Sequence, residues 1–185
     1  MVSPPRGQRQ HDLIDAVQPP LPFPHDHRVE RAVPIPGHLN LQAWATVLTD
    51  RMWARSTFQQ HRLLAEQVPT YAYEFADREA PMYLPFPEDF PPGAFHAAEV
   101  PYLFRDQQFQ AGSTHDQRRL SDQMIRYWAN FALRGDPNGA DLPPWHPFDH
   151  AQPVPHVQSL APEPEGIKPV DYAADHKIDF WSSLP

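Results

Sequence analysis

The chain is 185 residues long with a formal charge of −8 at pH 7, and acidic and basic residues interleave along it, so there is no basic stripe to track phosphates and nucleic acid is excluded as the expected partner. No apolar run approaches the roughly 20 residues a membrane span needs, and the start, Met1-Val2-Ser3-Pro4-Pro5-Arg6-Gly7, lacks the apolar core of a signal peptide. With 41% apolar residues, 12% aromatic residues and no cysteine, the composition predicts a soluble protein with a packed core and no disulfide or thiolate chemistry, and it leaves the compartment open.

Residues 1–39 hold eight of the 25 prolines and show neither a helical nor a strand period, which predicts an irregular or disordered arm. The run His25-Asp26-His27 in this arm reads as a solvated polar cluster. From residue 40 the pattern changes. A proline-free run follows Asp50, with Trp53, Phe58, Leu63 and Leu64 near one face, predicting a helix capped by Asp50 and ending near Gln67, ahead of Pro69.

Thr70-Tyr71-Ala72-Tyr73-Glu74-Phe75 then alternates, with Tyr71, Tyr73 and Phe75 on one side, as a strand does. After a proline-rich loop at 81–92 comes Gly93-Ala94-Phe95-His96-Ala97-Ala98-Glu99-Val100-Pro101-Tyr102-Leu103-Phe104. Next, Leu120, Met124, Tyr127, Trp128 and Phe131 recur at helical spacing up to Gly135, the expected helix-ending residue. The tail reads as loop until Tyr172–Leu184, where Ala173, Ile178, Phe180 and Trp181 suit a short docking helix.

Three of these stretches, in this order, resemble the type-B carboxylesterase and lipase family of α/β-hydrolases, which includes cholinesterases and non-catalytic neuroligin-like adhesion proteins. They are the tyrosine-rich strand Pro69–Phe75, the Gly-x-x-His-x-x-Glu-apolar-Pro-Tyr-apolar-Phe block around His96, and the helix ending Tyr127-Trp128-Ala129-Asn130-Phe131-Ala132 with its Gly135-Asp136-Pro137-Asn138-Gly139 turn. Trp145-His146-Pro147 and His176-Lys177-Ile178-Asp179-Phe180-Trp181 are similar to the family's last segments. The resemblance implies an α/β fold, here the C-terminal part of an α/β-hydrolase with few strands and several helices, spanning residues 40–185.

It also implies that His96 is the catalytic histidine, taking the proton of a serine that attacks a carboxylic ester. Phe90 and Phe95 would line the substrate pocket, and Tyr102 reads at least as well as core. The nucleophile belongs to a Gly-x-Ser-x-Gly elbow in that family. None of the seven serines has glycine two residues away on both sides, and no Gly-Gly-Gly stretch offers oxyanion amides. No block around Asp12, Asp15, Asp26 or Glu30 resembles the family's acidic member.

Glu99, three residues after His96, suits a capping box that stabilises a helix start near the site. A metal is not expected, because His96 and Glu99 would need partners among His115, His146 and His150, and Pro147 breaks the helical spacing of the last two. No cofactor is implied. The chain is therefore expected to be a C-terminal fragment of an ester hydrolase and inactive alone. Two alternatives stand beside this: a non-catalytic interaction module of the neuroligin-like kind, and one half of a split esterase completed by an N-terminal segment.

Overall fold

The computed structural model describes residues 40–81, 92–105 and 107–184. The expected arm at 1–39 and Phe90 lie outside them.

The first element is a helical run with no proline or glycine between Asn40 and Ala65: α1 (Asn40–Leu48), a π-helical stretch at Thr49–Ala54 and α2 (Arg55–Ala65). Its backbone stays helical through both junctions, so Asp50 is not a cap. It lies inside the π-helical stretch and is 3% exposed. The buried face is Ala43, Asp50, Ala54 and Phe58, spaced by seven, four and four residues in helical phase, whereas Trp53 is 68% exposed and Leu63 61%. Small alanines and a buried carboxylate carry no hydrophobic signal, and only Phe58 of the expected face packs inward.

β1 (Ala72–Phe75) follows, and after it come α3 (Val100–Phe104), α4 (Gln107–Gly112) and α5 (His115–Arg134). β2 (Val157–Leu160), β3 (Ile167–Val170), α6 (Tyr172–Asp175) and α7 (Ile178–Ser182) complete the order. The three strands form one sheet in the order β1-β2-β3. β1 and β2 are parallel, pairing Ala72 with Val157 and Phe75 with Leu160; β3 is antiparallel to β2 and pairs Val170 with Val157. Pro169 sits in β3, an outer strand, where a missing amide is tolerated.

The sheet is covered on both faces. Tyr73 and Phe75 turn to α5 and α3, where Tyr73 stands 5.1 Å from Trp128 and Phe75 5.0 Å from Tyr102. There Tyr102, Phe109, Leu120, Met124 and Leu160 form one core cluster. Ala72 and Val157 turn the other way, packing with Ala54, Phe58, Phe148 and Ile178. Met124 and Leu160 are fully buried, and each contributes about 1.5–3 kcal/mol by leaving water. Met124 is therefore core, and Phe131 and Leu133 are the large apolar residues of α5 that stay exposed, at 47% and 82%.

The signature helix ends as the residues dictate. Thr114 and Gln117 form a reciprocal capping box at its start, and Gly135 closes it at φ 71°, donating its amide to Phe131 O at 2.7 Å. Asn130 Nδ2 donates to Pro137 O at 3.1 Å, and Asn138 bonds Asp136 and both backbone groups of Trp145. Trp145 Nε1 then donates to Ala72 O on β1 at 3.1 Å. These polar residues are the fasteners that fix α5 to the sheet.

Candidate active site

The loop that leaves the carboxyl end of β1 returns as a tight turn at 93–99. Phe95 N donates to Gly93 O and Ala98 N to Phe95 O, each at 3.0 Å, and Val100 N reaches Ala97 O at 3.1 Å. Two residues take positive φ here, Gly93 at 62° and Ala97 at 68°. In glycine this is free, but in alanine it costs about 1–2 kcal/mol. Ala97 follows His96 directly, so the strain is stored beside the residue singled out by sequence, a placement typical of functional turns.

His96 itself is exposed. No hydrogen bond or ion pair holds its ring among the described residues, so both ring nitrogens are available to a group brought from outside. Its neighbours point inward: Ala98 is fully buried, and Phe95 is half-buried against the cluster of Tyr102, Phe109 and Met124. Tyr102 is fully buried, as the core reading expects.

Glu99 does not build a capping box. It occupies the position just before α3 with its backbone already helical, and its side chain caps no amide. A proline stands in the first turn, and its missing N–H leaves less there to cap. Burial first and the charge of Glu99 second raise the Tyr73 hydroxyl on β1 above its ordinary value.

A second histidine cluster escaped sequence reasoning. His176, after α6, places Nδ1 at 2.7 Å from Asp50 Oδ1 and Nε2 at 3.1 Å from Glu74 Oε1. The imidazole side chain is 16% exposed, Asp50 4% and Glu74 32%. Burial alone would lower its pKa, but the hydrogen bonds and charges of both carboxylates outweigh it and raise it to about 9. An imidazolium with both N–H groups donating thus ties α6 to the long helix and to β1. The signal in the sequence was weak: Asp50 at a buried position and Glu74 on the face opposite Tyr73 are visible only once β1 and the helix are placed.

Away from these histidines, an aromatic hollow of about 170 Å³ is lined by Tyr71, Tyr73, Tyr127, Trp128, Phe131 and Trp145, among others. Neither Phe95 nor His96 belongs to it.

The family model described as carboxylesterase family matches residues 38–181. Cocaine esterase of Homo sapiens is 30% identical over 144 residues, covering 75% of this chain and 24% of that protein. Acylcarnitine hydrolase of Rattus norvegicus is 30% identical over 155 residues, covering 81% of this chain and 26% of that protein. The chain thus spans about a quarter of the length of these curated relatives. Among solved structures, a PNB esterase aligns with a TM-score of 0.60 at 19% identity, over 83% of this chain and 29% of that one. A thermophilic PNB esterase aligns with a TM-score of 0.62, also at 19% identity and with the same coverage. At that identity the likeness carries the fold: the described residues are part of an α/β-hydrolase.

Proposed function

The chain belongs to the carboxylesterase family, and on that premise we propose that it supplies His96 as the general base of a serine-dependent hydrolysis of carboxylic esters. In this reading one ring nitrogen of His96 takes the proton of a serine hydroxyl as the hydroxyl oxygen attacks the ester carbonyl, and then returns it to the departing alcohol. Water repeats the cycle on the acyl-enzyme. The serine, its acidic partner and the oxyanion amides come from a segment outside these 185 residues, which contain no Gly-x-Ser-x-Gly elbow.

The observation that carries the reading is the presentation of His96: exposed, with free ring nitrogens among the described residues, beside a left-handed alanine and beyond the carboxyl end of a parallel strand. Catalytic groups in α/β sheets gather at that end. A further support for a complementing segment is that β1, a parallel strand, is paired on one side only among the described residues. Phe95 beside His96 is the wall such a segment would complete, with Phe90 the second residue proposed for it.

Coexpression with the N-terminal two-thirds of a related carboxylesterase tests this. The complemented assembly is expected to hydrolyse p-nitrophenyl acetate with saturable kinetics, and this chain alone to match free imidazole at equal concentration. Saturable turnover by the chain alone would overturn the assignment of the nucleophile to another segment.

A further inference from the structure

Asp77 lies two residues past β1 and is 3% exposed. Its Oδ1 accepts the amide of Glu79 at 2.9 Å, and its Oδ2 accepts both Gln117 Nε2 at 2.9 Å and the hydroxyl of Tyr102. Gln117 Nε2 also reaches Glu79 O at 2.9 Å, while its Oε1 takes Thr114 N at 2.8 Å. No lysine, arginine or histidine pairs with Asp77 among the described residues. A carboxylate has thus been taken out of water and given only neutral donors, which offset its desolvation but gain little beyond it. An apolar residue in its place would leave the Glu79 amide and one Gln117 N–H without that acceptor, so satisfying these donors is one reason for the carboxylate.

Its partners suggest a second. The network joins the end of β1, the first turn of α5, and α3, the five-residue helix that begins four residues after His96. A helix that short does not hold itself. Its position comes from Tyr102, gripped at both ends: the hydroxyl by Asp77, and the carbonyl by Ser121 Oγ at 2.6 Å, which in turn accepts Arg105 Nε at 3.0 Å. The turn at 93–99 runs into α3 through Val100 N on Ala97 O and Tyr102 N on Glu99 O, and among the described residues no hydrogen bond holds the His96 ring. We propose that Asp77 is a positioning residue for His96, acting through the Tyr102 hydroxyl to fix α3 and with it the turn that presents the imidazole. This rests on the reading of His96 as the base.

Two variants read it out. Y102F removes one oxygen and leaves the ring packed at 5.0 Å from Phe75 and 4.7 Å from Phe109, so the fold is retained; D77N removes the charge and sets an amide against one of the three donors. On the 185-residue chain, ¹⁵N order parameters of residues 96–104 are expected to fall from about 0.85 to below about 0.6 in Y102F, while those of β2 and β3 stay unchanged. In the complemented assembly, Y102F and D77N are each expected to lower kcat roughly 10- to 100-fold with KM within about twofold, and the double variant to be no worse than the lower single one, because a misplaced base costs rate and not binding. An unchanged turn in Y102F, or equal losses in kcat and thermal stability with kcat restored by cooling, would overturn the positioning role. If H96A proved as active as wild type, the base assignment would fail instead, and the order parameters alone would then decide whether Asp77 fixes the turn.

Discussion

His96 and His176 stand in opposite surroundings within one small chain. One is exposed on a strained turn with no partner for its ring among the described residues; the other is clamped by Asp50 and Glu74, with its pKa raised to about 9. A search for perturbed titratable groups would select His176 as the functional site. The geometry argues against that choice. Both nitrogens of His176 are spent on carboxylates that join three elements, so it has nothing left to give a substrate, whereas His96 keeps both nitrogens free. In this molecule the perturbed histidine is a fastener and the unpartnered one is the candidate catalyst.

The contrast is broken most severely by activity. A fluorophosphonate probe should label the complemented assembly and leave this chain alone unlabelled, because such probes need an activated serine; labelling of the isolated chain would mean a nucleophile exists here. The next effect is on stability. H176A leaves two carboxylates facing each other with Asp50 buried, and should cost about 3–5 kcal/mol, on the order of 10 °C in Tm, while H96A should stay within about 0.5 kcal/mol. Equal losses for the two in thermal denaturation would erase the distinction.

The pH dependence follows from the same clamp. The folded pKa of His176 is above its ordinary 6.5, so the stabilisation is full below about pH 6.5 and is lost as pH rises through about 9. Up to about 3 kcal/mol is at stake over that window, and H176Q should flatten it, as urea titrations from pH 6 to 10 would reveal. A slope of opposite sign, or one unchanged in H176Q, would mean the charge lies elsewhere. The smallest effect serves as the control: Gly135→Ala forces alanine to φ 71° and should cost about 1 kcal/mol without altering the pH slope or the complemented activity.

What the sequence revealed and what it hid divide along the same physical line. The alternation of Tyr71, Tyr73 and Phe75, the spacing from Leu120 to Tyr127 and the stop at Gly135 are local patterns, and each appears where expected, whereas Phe131 at the end of the same spacing is exposed. β2 went unseen because all four of its residues are buried on both faces, which erases alternation, and because Val157-Gln158-Ser159-Leu160 is flanked by prolines that read as loop. β3 carries a proline itself. Asp50 resembled a helix cap in one dimension, and its partner His176 is 126 residues away. Asp77 has one local donor, the amide of residue 79; its other two come from residues 102 and 117. His96 was legible only through its motif; nothing in its own burial or charge would have marked it.

The two histidines can be separated in one assay. With the complemented assembly at pH 7 and 25 °C, initial rates of p-nitrophenyl acetate hydrolysis are compared for wild type, H96A and H176Q. H96A is expected to fall to the rate of free imidazole while H176Q keeps kcat and KM within about twofold of wild type, losing only Tm. If H96A retained wild-type turnover, or if H176Q lost as much kcat as H96A while still folded, the assignment of His96 as the base would be contradicted.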